Sequence, residues 1–171
     1  NVLHYVVDNG VGSPAAAVVD SSNPRCIHLT FNNPFPIRTP LSILVNEIAD
    51  MSFNIMSAQT KSFIYYTSSL YDIVIDEIMA DPSPPLGYPD VEWIELRNIS
   101  PFEINLKNWK IGKQNSISGG LPDFVLQPDS MVVVSSTSGA QEMKLFATCM
   151  GLSGFPTLTN TGDLIYLLDP N

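Results

Sequence analysis

Short runs in which apolar and polar residues alternate dominate this chain, and clusters of turn-forming residues separate them. That period of two marks half-buried β-strands. In the first half, residues 3–7, 27–31, 41–45 and 63–66 read as strands, with DNGVGSP, SSNP and NNPFP as the breakers between them. Alternation in 27–31 puts Ile27, Leu29 and Phe31 on a face toward a core and His28 and Thr30 toward water. In the second half, residues 73–79, 91–98, 104–106, 109–111, 124–126, 131–134 and 164–168 read the same way. Seven short strands at this spacing predict a sandwich or small barrel. One stretch, GAQEMKLFATCMGL, breaks the rule: Met143, Phe146 and Met150 recur at helical intervals, which predicts a short helix near 140–149. The small polar segment TSSLY, residues 67–71, separates two modules, 1–68 and 69–171. ILVNEIAD at 43–50 and IVIDEIMAD at 73–81 look alike, but nothing around them continues the match.

Charge sharpens the division. Residues 1–70 carry four acids and three bases, whereas residues 71–171 carry thirteen acids and five bases, so nearly all of the net −9 sits in the second module. Such a surface repels phosphate backbones and anionic lipid, which disfavours nucleic acid and membrane surfaces as partners. No apolar run approaches the roughly 20 residues of a spanning helix, so no membrane insertion through a helix is expected. Charged residues make up only 15% of the chain. That low share, with many Ser, Thr, Asn and Pro residues, fits extracellular β-proteins. Cys26 and Cys149 lie far apart without CxxC spacing and read as two free buried thiols. The first residues run almost directly into a strand, so the chain reads as part of something longer.

From Tyr71 onward the sequence resembles the lamin tail domain, through IVIDEIMADPSPP, WIELRNIS, LKNWKIG, FVLQPDSMVVVSS and FPTLTNTGDLIYLLD in that order. The resemblance implies an immunoglobulin-like β-sandwich, of the type found in bacterial secreted and cell-surface proteins. It implies a non-catalytic structural or adhesive role, with no cofactor, in anchoring or protein–protein contacts. Residues 1–70 more weakly resemble the second half of a bacterial Ig-like domain, through YVVDNGVGSP, AAVVDSSNPRCIHLTF and LVNEIAD. Together the fold class is all-β, as two Ig-like modules. Members of the first family continue past the LLD strand, which implies an incomplete sandwich here. Residues 164–168 are apolar at nearly every position and call for cover on both faces. A bare edge of that kind predicts edge-strand self-association.

The candidate chemistry lies in residues 73–97, IVIDEIMADPSPPLGYPDVEWIELR, where Asp76, Glu77, Asp81, Asp90, Glu92 and Glu95 follow closely on Asp72. Strict alternation places Glu77 with Ile73 and Ile75, and Glu95 with Trp93 and Arg97. Glu77 and Glu95 match the family's two glutamate positions. A carboxylate pair on adjacent strands could serve a glycosidase as acid and nucleophile, but that requires a cleft. The structural alternative pairs each glutamate with Arg97, Lys110 or backbone N–H groups of the proline-rich loop. Asp81, Asp90 and Glu92 bracket one loop and offer hard oxygen ligands for calcium, although the D-x-D-x-D-G spacing is absent. Read as solvated loop acids, they bind nothing. Only His4 and His28 could serve zinc, and no HExxH occurs. GLSGF at 151–155 falls short of a nucleophile elbow, with no histidine in that half to activate Ser153. Among the aromatics, Trp109 reads as core, and Trp93, opposite Ile94 and Leu96, as partly exposed. Leu86 and Tyr88 sit on the tip of a loop stiffened by prolines. Leu86 and Tyr88, together with Trp93, are the candidate contacts for a protein or cell-surface glycan partner; the alternative is that the loop folds back and buries Leu86 and Tyr88.

Overall fold

Antiparallel pairing of the alternating runs builds both halves of the computed structural model, which describes every residue except Met51, Leu86 and Asn171. The chain divides into two units, Asn1–Thr67 and Ser68–Asn171.

In the first unit, β1 (Tyr5–Val7), β4 (Pro40–Val45) and β5 (Gln59–Ile64) form one sheet in the order β1-β4-β5. β2 (Ala16–Val19) and β3 (Ile27–Thr30) form a separate hairpin. Asp20 shapes the turn between them: its carboxylate accepts from the backbone N–H groups of Ser22 and Asn23 and meets His28 Nε2 at 2.7 Å. These bonds, the one to His28 first, hold its pKa well below the usual carboxylate range. The core is small. Val7, Val11 and Leu41 are buried, with Phe31, Phe35, Ile43 and Phe63 packed against them. Alternation in β3 is only partly honoured, because Leu29 is half-buried whereas Ile27 is exposed on the hairpin. A two-stranded ribbon has too little sheet behind it to cover every apolar position.

In the second unit, β6 (Ile73–Met79), β7 (Trp93–Asn98), β12 (Met131–Ser136) and β13 (Cys149–Leu152) form a sheet in the order β13-β12-β7-β6. β9 (Lys110–Lys113), β10 (Ser116–Ile117) and β14 (Ile165–Leu168) form another, ordered β10-β9-β14. β8 (Ile104–Asn105) pairs with β11 (Val125–Leu126). Both larger sheets turn apolar residues inward: Ile94, Leu96, Val132 and Val134 from one, Ile111 from the other, with Leu106, Trp109, Leu121 and Leu158 from the connections. Trp109 is 5% exposed and belongs to this core.

The second unit departs from the sequence reading between β12 and β13. The expected helix at 140–149 lies earlier, as α1 (Thr137–Met143), and Cys149 begins a strand that runs parallel to β12. Ser136 fixes the helix start, since its hydroxyl accepts from the backbone N–H of Gly139 at 3.0 Å. Gly139 lets the helix lie close: a Cβ there would stand 2.4 Å from Ser135 Oγ. Parallel neighbours need such a crossover, whose helix must sit on one sheet face. Met150 follows the helical interval in sequence but is claimed by the β13 ladder, where it pairs with Val134.

Asn98, at the end of β7, ties three segments together while fully buried. Its Nδ2 donates to the carbonyls of Phe102 at 2.7 Å and Leu126 at 2.9 Å. Its Oδ1 accepts from the backbone N–H of Ser100 at 3.0 Å and from Ser100 Oγ at 2.7 Å. Its main chain exchanges bonds with the turn at Asp129 and Ser130. The formal sequon Asn98-Ile99-Ser100 therefore has no free amide to carry a glycan. We expect Asn98→Ala to lower unfolding free energy by about 3 kcal/mol, since it strands several buried polar groups at about 1–3 kcal/mol each. Chemical denaturation checks this, and a loss below about 1 kcal/mol would show that water or relaxation replaces the amide.

Candidate functional site

The β6–β7 hairpin carries most of the acids, and a β-bulge decides where they point. Ile75 pairs with Leu96, but the next matched pair is Glu77 with Glu95, so Asp76 is the extra residue. One inserted residue moves everything after it to the other face. Glu77 therefore leaves the face of Ile73 and Ile75 and stands directly opposite Glu95 on the outer side of the sheet. Like charges in that relation repel. Glu95 holds its proton more tightly as a result: its pKa is raised, first by burial and then by Asp76 and Glu77, against the opposing pull of Arg97. Arg97 does not bridge to either glutamate. Its guanidinium is taken by Asp129, through Nε at 3.2 Å and Nη2. Among the described residues neither Glu77 nor Glu95 has a side-chain hydrogen bond or ion pair, so the expected partners Arg97, Lys110 and the loop amides do not serve them. As a glycosidase pair they fare no better. Directly opposed residues share one flat strand face, and Glu77 is exposed.

The three calcium candidates part company. Asp81 and Asp90 are exposed at the two ends of the proline-rich loop. Glu92 is half-buried and its Oε2 accepts from the backbone N–H of Leu158 at 3.0 Å, pinning the segment between β13 and β14. It is a structural acceptor rather than a solvated loop acid. Sequence distance hid that bond, which spans 66 residues. Among the described residues, no three His, Cys, Asp or Glu side chains are grouped so as to hold a metal ion. Cys26 and Cys149 are both free and half-buried, and burial raises the Cys149 thiol.

The loop between β6 and β7 forms a face of a different kind. Trp93, expected to be partly exposed, is 6% exposed. Period-two reasoning puts it correctly on the outer side of the sheet, opposite Ser135. What it misses is that the crossover covers this part of the outer side. Met143 of α1 and Ala147 beyond it pack with Trp93, Val133, Met79, Val91 and Cys149 in a second, smaller core. Ser135 Oγ donates to the carbonyl of Glu92 at 2.6 Å and fixes the approach to Trp93. Tyr88 stays 54% exposed, and its ring meets that of Phe146 edge-on at 5.7 Å between centroids. Leu86 lies outside the described residues. Met79, Asp81, Pro82, Pro84, Tyr88, Pro89 and Trp93 line a cavity of about 60 Å³ under this loop. In the sequence Phe146 shows only a helical spacing; the structure places it after α1, half-exposed beside Tyr88.

A larger apolar groove of about 720 Å³ runs between the edge strands β6 and β14, with Leu70 and Trp109 in its lining. All four residues of β14 are half-buried there, so neither face of that strand is fully covered.

Two sheets with buried inner faces, one of them carrying a helical crossover between its parallel strands β12 and β13, define an immunoglobulin-like β-sandwich. The family model of the lamin tail domain matches residues 67–171, well over half of the sequence, and the chain belongs to that family. The family is one of structural, non-catalytic domains. No curated protein and no solved structure matches the chain.

Two measurements test these assignments. With a raised pKa, Glu95 keeps its proton longer in the folded chain than in the unfolded one. Stability therefore falls as pH rises from the ordinary glutamate range through the raised value. Glu95→Gln should melt higher than the parent at neutral pH, and the difference should vanish below the carboxylate range. A variant that melts lower at neutral pH would show Glu95 to be stabilised by its charge. For calcium, melting temperatures in EDTA and in millimolar Ca²⁺ should coincide; a rise of several degrees with Ca²⁺ would reveal a site.

Proposed function

We propose that this chain is a non-catalytic structural module of a bacterial secreted or cell-surface protein, and that it holds a partner protein through the face made by the proline-rich loop and the segment after α1. The observation that carries this reading is the half-exposed Tyr88–Phe146 pair. Aromatic rings offer large contact area at low ordering cost, and they are enriched where partners dock. The four prolines of ADPSPPLGYPD stiffen the loop that presents Tyr88. The low charge content and the richness in Ser, Thr, Asn and Pro support an extracellular setting. Adhesion or anchoring is the role such a face would serve. A glycan partner would use the same rings, and a neighbouring hydrolase would then give the module its purpose.

A photo-reactive phenylalanine placed at position 88, or at position 117 where exposed Ile117 stands on β10, separates these readings. In the source cells, the probe at 88 should capture one discrete protein and the probe at 117 should not. Equal capture from both positions, or none from 88, would overturn the proposal. Capture that disappears on enzymatic deglycosylation would transfer it to a sugar.

A further inference from the structure

Two strands of the second unit each have a free edge, and one groove runs between them. β6 ends the order β13-β12-β7-β6, and β14 ends the order β10-β9-β14. Among the described residues, no backbone hydrogen bond outside these ladders reaches residues 73–79 or 165–168. Each strand therefore carries a row of unpaired N–H and C=O groups on its outer edge. The groove between them, about 720 Å³, is lined by Leu70, Ile73, Ile75, Trp109 and Leu167, among others. Every residue of β14 is half-buried, so both faces of that strand are short of cover. Water can satisfy the edge groups, but it leaves the apolar lining wet. A further strand would satisfy both.

We propose that the free edge of β14 binds a second copy of this chain, with the two β14 strands paired antiparallel across a two-fold axis. The sheet β10-β9-β14 then continues into β14-β9-β10 of the second copy, and apolar residues of the added strand close the groove. This face is separate from that of Tyr88 and Phe146, and the inference does not rest on the function proposed there.

Charge selects this occupant. Residues 71–171 carry thirteen acids against five bases, so two copies repel over most of their surfaces. At β14 they can meet without opposing charges. Ile165–Leu168 contains no ionised side chain. Asp163, before the strand, is held by Lys113 of β9 at 2.8 Å, with both side chains less than one-fifth exposed. Asp169, after the strand, accepts from Ser68 Oγ. Lys110 and Lys113 offset these two acids, so the β9–β14 pair with its flanks is neutral. The other edge excludes the same contact. Asp76 stands in the bulge of β6 with Glu77 beside it, both exposed, and a second copy would bring their like charges opposite. Symmetry points the same way. An antiparallel pair of identical strands closes on a two-fold axis, and assembly stops at two. Joining β14 to a different edge, such as that of β13, is heterologous and propagates without closing. Four residues make a short ladder, which places the dimer among weak, reversible contacts.

Sedimentation equilibrium of the whole chain reads the association. At ~10 μM the mean mass should be that of one chain, 18.7 kDa, and by ~1 mM it should rise toward that of two. Raising NaCl from ~20 mM to ~500 mM should tighten the dimer by about threefold or more, because salt screens the repulsion between copies and leaves the neutral edge its contacts. Amide hydrogen exchange read by NMR locates the contact. Those β14 amides that point away from β9 should exchange about threefold or more slowly at ~1 mM than at ~50 μM, while the amides of β6 should not change. Leu167→Lys puts a charge on the edge and should abolish the rise in mass, with its melting curve in dilute solution reporting whether the fold survives. The exchange measurement on the parent chain decides the matter even where that variant fails to fold. A single 18.7 kDa species at ~1 mM would overturn the proposal and leave the groove to a strand of another protein. A dimer that weakens with salt, that leaves the β14 amides unprotected, or that a folded Leu167→Lys still forms would overturn it equally. A dimer lost in Tyr88→Ala instead would move the contact to the other face.

Discussion

The side-chain amide of Asn98 is the constraint on which the second unit depends. It lies at the end of β7, where the chain leaves the sheet and bends before β8 begins. An amide can donate twice and accept twice, and here all four capacities are used, on Phe102, on Leu126 and twice on Ser100. Its backbone N–H and carbonyl meanwhile bind the turn before β12. One buried residue thereby sets the exit of β7, the start of β8 and the end of β11. Apolar packing alone would tolerate several positions of these turns; a fully satisfied polar network in a low-dielectric interior tolerates one.

Given that frame, the acids of the β6–β7 hairpin acquire different roles. The bulge at Asp76 turns Glu77 toward Glu95, which leaves two carboxylates competing on one face. Glu92, three residues before Glu95, serves instead as a backbone acceptor for a distant segment. Arg97 neutralises Asp129 on the neighbouring turn rather than the glutamate on its own strand. The acidic run is thus a set of separate local solutions. The same bulge and charges mark β6 as a guarded sheet edge, whereas β14 carries no charge within its four residues.

Around Trp93 the arrangement is reversed, and apolar groups converge while one polar group, the indole N–H, is left over. The crossover through α1 roofs the outer side of the sheet, so a tryptophan pointing away from the main core is buried in a second one. Tyr88 and Phe146 form the open margin of that second core. The sandwich supplies a rigid mount, and the loop and crossover supply the surface that differs from a plain sandwich. That division of labour is the one by which structural folds acquire binding functions.

The sequence by itself determined the class and most of the strands, though not β2, β10 or β13, because a period of two survives wherever one face is buried and the other wet. It placed β4, β6, β7 and β12 to within a few residues, and it placed Trp109 in the core. The family match rests on the same runs, since residues 67–171 carry them in order. Only the tertiary structure decided what depends on pairs distant in sequence. The bulge at Asp76 exists because β7 offers one partner where β6 brings two residues. The burial of Trp93 exists because a helix 44 or more residues later lies over it. Cys149 to Leu152 became a strand, although Met150 falls at a helical interval from Met143 and Phe146, because β12 offered a parallel edge whose hydrogen bonds outweigh local preference. Local pattern reports which side of an element meets water only when nothing else packs there, and in this chain something else does.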